Sequence, residues 1–297
     1  MMIGEVANHY FLGGGFLPQI KFTKMHGIGN DYVYINCFTE QVDNPNELAK
    51  IMSPRRFSVG ADGVILICPS KVADAKMRMF NLDGSEGKMC GNGIRCVGKF
   101  VYDNNIAHKD TVTVETLSGI KTLYITDKDG AAETITVDMD KAELSPEKIP
   151  AIADCDTIID TAITVDGNSY NITAVSMGNP HAVTFCDEID SLNLEKIGPH
   201  FEHHEMFPQS VNTEFIRVID EKTLQMRVWE RGSGETFACG TGACAAAVAA
   251  VENGYCKHDT EITVHLVGGD LFITYKNDGT VFMRGPATKV FDGVYEY

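Results

Sequence analysis

Two five-residue stretches, "MCGNG" at Met89 to Gly93 and "ACGTG" at Ala238 to Gly242, repeat the pattern Cys-Gly-polar-Gly within a chain of 297 residues. Their cysteines, Cys90 and Cys239, stand 149 residues apart. The same offset separates "GNDY" (Gly29 to Tyr32) from "GNPH" (Gly178 to His181), and Glu86 from Glu235. One glycine-rich match arises readily by chance, whereas three unrelated features at one ungapped spacing indicate internal duplication. The chain is therefore expected to form two similar halves about a pseudo-twofold axis. Equivalent residues would then face each other across the cleft between the halves, a favoured place for a ligand. The equivalence breaks at two positions: Asn81 corresponds to Glu230, and Tyr32 to His181. One half thus carries an acid and an imidazole that the other lacks.

A chain of this length builds one large domain or two of ordinary size, and a content of 44% hydrophobic and 22% charged residues is ordinary for a globular fold. The net charge of -16 argues against nucleic acid or an anionic membrane as partner, since both attract clustered Lys and Arg. No apolar run reaches the roughly 18 residues that suggest a membrane span. A small molecule is the expected partner. Residues 1–20 lack the basic start of a secretory signal and read as an extension outside the fold. Nine cysteines, an odd number in a chain too long to need disulfide staples, fit a reducing, cytoplasmic setting. Of these, Cys37, Cys68, Cys96, Cys155, Cys186, Cys244 and Cys256 read as small buried hydrophobes.

Strand patterns dominate both halves, beginning near Gly63, Lys76, Thr111, Ile120 and Glu133, and again near Thr161, Asn171, Ala182, Glu214, Thr223, Ile262, Leu271 and Val281. Hairpin turns are expected at Asp166, Gly268 and Asn277. Helices are expected after Pro45 and directly after each repeated cysteine. The second of these, "GACAAAVAAVEN", ends at Gly254 and is small on every side, which places it buried inside a sheet. The proline-punctuated stretch Leu144 to Asp156 reads as a linker. "HFEHHE" (His200 to Glu205) lacks the His-Glu-x-x-His spacing of a metal site and reads as a solvated helix face, so no metal is expected.

Each repeated cysteine precedes a helix that opens on Gly91-Asn92-Gly93 or Gly240-Thr241-Gly242. Glycine allows close approach to the backbone, and a helix N-terminus favours anions. Two such ends facing one another can grip one carboxylate, and their positive ends are expected to lower the thiol pKa. A thiolate and a thiol on opposite sides of a bound α-carbon can take a proton from one face and deliver one to the other, which is racemisation or epimerisation. No lysine stands in a recognisable Schiff-base setting, so no cofactor is expected and the carbanion would lean on the helix ends. His181 and Glu230 are the candidates for tuning the thiol pair.

The motifs "KFTKMHGIGNDY" (Lys21), "FNLDGSEGKMCGNGIRC" (Phe80), "MGNPH" (Met177), "VNTEF" (Val211) and "ERGSGETFACGTGAC" (Glu230), in this order, resemble the diaminopimelate epimerase family over Lys21 to about Tyr297. The resemblance implies interconversion of LL- and meso-diaminopimelate in the lysine and peptidoglycan-precursor pathway, with Cys90 and Cys239 as base and acid. It implies that His181 and Glu230 tune them, that Asn30, Asn81, Asn179, Asn212, Glu230 and Arg231 contact substrate, and that Gly91-Asn92 and Gly240-Thr241 cradle a carboxylate. It further implies an α+β fold of two pseudo-symmetric domains, each a mixed, mostly antiparallel sheet wrapped around a central helix. The domains would be 21–140 with 287–297, and 141–286, in a homodimer. Two departures stand out: Gly63 replaces a glutamine contact of some members, and Phe291 replaces a dimer-contact tyrosine. The rivals are a proline or hydroxyproline racemase, which typically has His where Asn92 stands and Ser-Pro where this chain has Phe237-Ala238, and a non-catalytic thiol-switch binding protein.

Overall fold

A computed structural model describes residues 19–297; the expected extension, up to residue 18, lies outside the described residues. The first half runs β1 (Gln19–Gly27), β2 (Asn30–Asn36), α1 (Pro45–Met52), β3 (Gly63–Cys68), β4 (Ala75–Asn81), β5 (Glu86–Gly87), α2 (Gly91–Asp103), β6 (Thr111–Thr116), β7 (Gly119–Lys128) and β8 (Ala131–Lys141). The second half runs β9 (Thr161–Val165), β10 (Asn168–Ser176), β11 (Pro180–Phe185), α3 (Leu194–Glu202), β12 (Asn212–Asp220), β13 (Thr223–Glu230), β14 (Gly234–Glu235), α4 (Gly240–Glu252), β15 (Glu261–Leu266), β16 (Gly269–Tyr275) and β17 (Thr280–Pro286). A last strand, β18 (Thr288–Glu296), follows. β1 begins at Gln19 with Ile20 buried, so the last two residues read as extension are strand residues instead; their partners are Glu296 and Tyr295 of β18.

Strand pairing repeats in the two halves. In the first, β18 pairs with β1 and the order continues β2, β3, β4, β6, β7, β8. In the second it is β9, β10, β11, β12, β13, β15, β16, β17. The same two junctions are parallel in each half, β2 with β3 and β4 with β6, then β11 with β12 and β13 with β15. Antiparallel pairing of β8 with β17 joins the halves edge to edge. This is the expected α+β architecture of two similar sheets.

Each sheet curls around one helix. Ala243 to Ala250 of α4 are fully buried, which explains a helix with no polar stripe. In α2, Gly98 lets Leu123 pack against the helix, since a Cβ there would lie 2.6 Å from Leu123 Cδ2. The helices α1 and α3 cover the outer sheet faces over two smaller apolar clusters, one around Leu48 and Phe80 and the other around Phe201 and Trp229. The segment read as a linker sends Ile149 into the second of these. "HFEHHE" is only in part the expected solvated face: His200, His203 and Glu205 are exposed, but Phe201 and Glu202 are buried and the helix ends at Glu202. Cys155 is exposed rather than buried, and Cys37, Cys68 and Cys186 are half-buried at strand ends. No helix among the described residues is long and apolar enough to cross a membrane.

Candidate active site

Cys90 and Cys239 are the N-caps of α2 and α4. Both have extended backbone, and each Sγ accepts the N–H three residues on, Gly93 or Gly242, at 3.3 Å. A sulfur that takes the third N–H leaves the first N–H groups, of Gly91, Asn92, Gly240 and Thr241, without intrahelical partners. The two helix starts abut: a Cβ on Gly91 would lie 3.8 Å from Gly240 Cα, and a Cβ on Gly240 would lie 3.3 Å from Asn92 Oδ1. Glycine at both positions keeps that junction open to a ligand. Asn92 Nδ2 crosses the junction to donate to the Ala238 carbonyl at 2.9 Å.

Behind the junction sits Arg95, fully buried. Its guanidinium donates to Asn92 Oδ1 at 2.9 Å and to the carbonyls of Gly91 and Pro286, each at 3.2 Å, with Met283 Sδ at 3.5 Å. All of these acceptors are neutral. The residue 149 positions on is Cys244, so this positive charge belongs to one half only.

The repeated glutamates also have a structural reason. Arg78 grips Glu86 at 2.8 and 3.0 Å, and Arg227 grips Glu235 at the same two distances. Each bidentate pair ties the long strand before a cysteine to the two-residue strand that delivers it.

Asn30 Oδ1 accepts from the Cys90 thiol at 3.2 Å, while Asn30 Nδ2 donates to Asp62 at 2.7 Å. Its counterpart Asn179 donates to Thr241 Oγ1 at 3.4 Å, and that hydroxyl lies 3.5 Å from Cys239 Sγ. His181 is fully buried, with Nε2 3.2 Å from Asn179 Oδ1 and Nδ1 2.7 Å from Glu214 Oε1. Glu230 accepts from the Thr236 hydroxyl. Asn212 accepts the Arg231 backbone N–H at 3.0 Å and donates to the Pro180 carbonyl at 2.8 Å. The Arg231 guanidinium and the Asn81 amide are held by their own loops, through Gln209 O at 2.8 Å and Ser85 Oγ at 3.0 Å. At Gly63, the position equivalent to Asn212, no side chain can stand: a Cβ would lie 2.1 Å from the Phe80 carbonyl oxygen.

The thiols depart from the expected direction. Burial pushes Cys90 above the ordinary thiol range, partly opposed by the Gly93 and Asn92 N–H groups and raised further by Glu230. Cys239 is pushed well above it, by burial first and then by the charges of Glu230 and Glu214. The helix ends act as expected, but desolvation outweighs them, helped by Glu230 at both thiols and by Glu214 at Cys239. Burial likewise raises Glu230, against the Thr236 hydrogen bond and the nearby His181.

Three site-shaping residues escape the sequence pattern: Arg95, Glu214 and Glu202. From α3, Glu202 accepts the Trp229 indole N–H at 2.8 Å and the Gly232 N–H at 2.9 Å, fixing both flanks of Glu230-Arg231. The signals were present in Arg95 inside "CGNGIRC" and Glu214 inside "VNTEF", charged residues within otherwise apolar or strand-like segments. Among the described residues, no group of His, Cys, Asp and Glu could hold a metal ion.

The family described as Diaminopimelate epimerase matches residues 22–145 and 173–290. A diaminopimelate epimerase of Acetivibrio thermocellus is 54% identical over 275 residues, covering 92% of this chain and 98% of its own. One of Methanococcus maripaludis is also 54% identical over 275 residues, covering 92% and 99%. Among solved structures, a hydroxyproline epimerase from Agrobacterium vitis superposes with a TM-score of 0.69 over 94% of this chain and 92% of that one. At 14% identity, that likeness speaks to the fold alone. With a family match across most of its length and relatives at more than half identity, the chain belongs to the diaminopimelate epimerase family.

Proposed function

We propose that the protein interconverts LL- and meso-2,6-diaminopimelate by two-base proton transfer between Cys90 and Cys239, without a cofactor, in the supply of lysine and peptidoglycan precursors. The observation that carries this reading is the pair of thiols capping two helices whose first residues abut. A substrate α-carboxylate seated on the N–H groups of Gly91, Asn92, Gly240 and Thr241 puts its α-carbon between the sulfurs. One thiolate removes the α-proton, the helix ends stabilise the charge that moves onto the carboxylate, and the opposite thiol returns a proton to the other face. Asn30, Asn81, Asn179, Asn212 and Arg231 then hold the amino group and the second amino-acid end, which decides which stereocentre reacts.

Burial raises both thiols in the free protein, so forming the thiolate calls for a neighbouring group to take its proton. Glu230 lies beside Cys239, and His181 reaches the same thiol by way of Asn179 and Thr241, which suits both to tuning it. Because the Glu230 charge raises both thiols, Glu230→Gln removes a charge that opposes thiolate formation. The limb of the pH–rate profile set by thiol ionisation should therefore move to lower pH, with a rate lower by about 100-fold if Glu230 also shuttles protons. An unmoved profile would reduce Glu230 to a binding group.

The reading is tested by following meso-diaminopimelate formation after hydroxylamine and EDTA treatment, with L-proline in parallel. Turnover of diaminopimelate alone is expected. Turnover of proline alone would favour the racemase reading, and turnover of neither would favour a thiol switch. The high negative charge and nine unpaired cysteines support a reducing, cytoplasmic setting. The edge strand β18, with Val290, Phe291 and Val294 exposed, supports homodimerisation, which sedimentation would measure.

A further inference from the structure

Glu214 is a buried carboxylate where the fold does not need one. The equivalent position in the first half is Ile65, and both side chains pack on the same spot. A Cβ on Gly93 would lie 2.7 Å from Ile65 Cδ1, and a Cβ on Gly242 would lie 2.6 Å from Glu214 Oε1. In one half that spot beneath the helix start is filled by an alkyl group. In the other it is filled by a carboxylate that is fully buried and whose Oε2 has no hydrogen-bond partner. Burying such a group is unfavourable unless it does something that isoleucine cannot.

Its other oxygen begins a continuous chain. Glu214 Oε1 lies 2.7 Å from His181 Nδ1, His181 Nε2 lies 3.2 Å from Asn179 Oδ1, Asn179 Nδ2 lies 3.4 Å from Thr241 Oγ1, and Thr241 Oγ1 lies 3.5 Å from Cys239 Sγ. The two side chains at its origin, His181 and Glu214, have Tyr32 and Ile65 as repeat counterparts, so the chain cannot be drawn in the first half.

We propose that Glu214 is a positioning residue for the reaction: it accepts the Nδ1–H of His181 and so fixes the ring with Nε2 turned towards Asn179, Thr241 and Cys239. A carboxylate behind the ring also stabilises it when Nε2 gains a proton. The groups facing this pair are Cys239 on the start of α4 and Glu230 on β13, and the Glu214 charge helps to hold Cys239 protonated, ready to act as the acid. The proposal rests on the reading of His181 and Cys239 given above and adds how one of the two similar thiols is made different from the other.

The test uses Glu214→Ile, which restores the packing seen at Ile65, and Glu214→Gln, whose amide oxygen can still accept from Nδ1. In Glu214→Ile, kcat for LL-diaminopimelate should fall by about 100-fold or more, with KM changed less than about threefold. Glu214→Gln should lie between that variant and the parent. In the ligand-free protein, the ¹⁵N signals of His181, assigned by their loss in His181→Gln, should show a protonated Nδ1 in the parent and a mixture of tautomers in Glu214→Ile. Parent-like kcat in Glu214→Ile, or an unchanged His181 tautomer there, would overturn the proposal. Should Glu214→Ile not fold, parent-like kcat in Glu214→Gln would do so. The tautomer needs no substrate, so failure to turn over diaminopimelate would sink the functional reading while leaving the role of Glu214 to be decided separately.

Discussion

Cys239→Ala should lower the rate of epimerisation by about 1000-fold or more, and Cys90→Ala should do the same, because the proposed two-base reaction assigns each thiol to one face of the α-carbon only. The loss should be chemical rather than structural. Alanine keeps the extended backbone of the N-cap and removes only a sulfur that accepts one N–H at 3.3 Å. Loss of such a cap is worth about 1 kcal/mol, or a few degrees in the unfolding midpoint. Calorimetry alongside the rate assay separates the two effects. A fully active single variant would contradict the two-base assignment, and an inactive variant that is also unfolded would have to be replaced by Cys→Ser.

Arg95→Met should be nearly as damaging to activity, about 100-fold, although Arg95 caps no helix and is invisible from solvent. Its guanidinium is fully buried among neutral acceptors, so a negative charge formed on Cys90, or carried in by a substrate carboxylate, would be stabilised by it. The positive charge lowers the pKa of Cys90, opposing burial. Removing it therefore leaves burial and Glu230 less opposed, and Cys90 should ionise only at higher pH. The rate of Cys90 alkylation by iodoacetamide as a function of pH reads this directly and should shift upward in Arg95→Met. Methionine also leaves Asn92 Oδ1 and the Gly91 carbonyl without their donors, loosening the bridge from Asn92 to Ala238. An unchanged alkylation profile with lost activity would make Arg95 a structural strut only.

Much of this site is legible in the sequence because duplication prints the same residues twice. The 149-residue offset locates both cysteines, both helix starts and both asparagines, and an alanine-rich helix with no polar stripe can hardly be anything but buried. The offset says less about residues that break it. Tyr32/His181 and Asn81/Glu230 are visible because they flank matched motifs, whereas Ile65/Glu214 and Arg95/Cys244 lie inside unremarkable strand and helix patterns. A glutamate in a strand pattern reads as solvent-facing; only the start of α4, which lays Gly242 against it, buries it. For the same reason the thiol shift runs opposite to expectation: the helix N-termini are local and legible, while desolvation and the charges of Glu230 and Glu214 come from packing. Glu202 fails differently. Two histidines beside it suggest a wet surface, but Phe201 draws that turn of α3 into the core and leaves the carboxylate facing Trp229.

The central claim is that two thiols on opposite faces exchange one proton each, and the most direct measurement is the fate of the α-hydrogen in deuterated water. Reduced protein is incubated with protiated LL-diaminopimelate, without pyridoxal phosphate, and product and residual substrate are separated at low conversion. The two-base reading predicts one deuterium at the inverted α-carbon of each meso molecule formed, while recovered LL substrate remains essentially unlabelled. Meso product that retains the original hydrogen, or deuterium appearing equally in substrate and product from the first turnover, would contradict it.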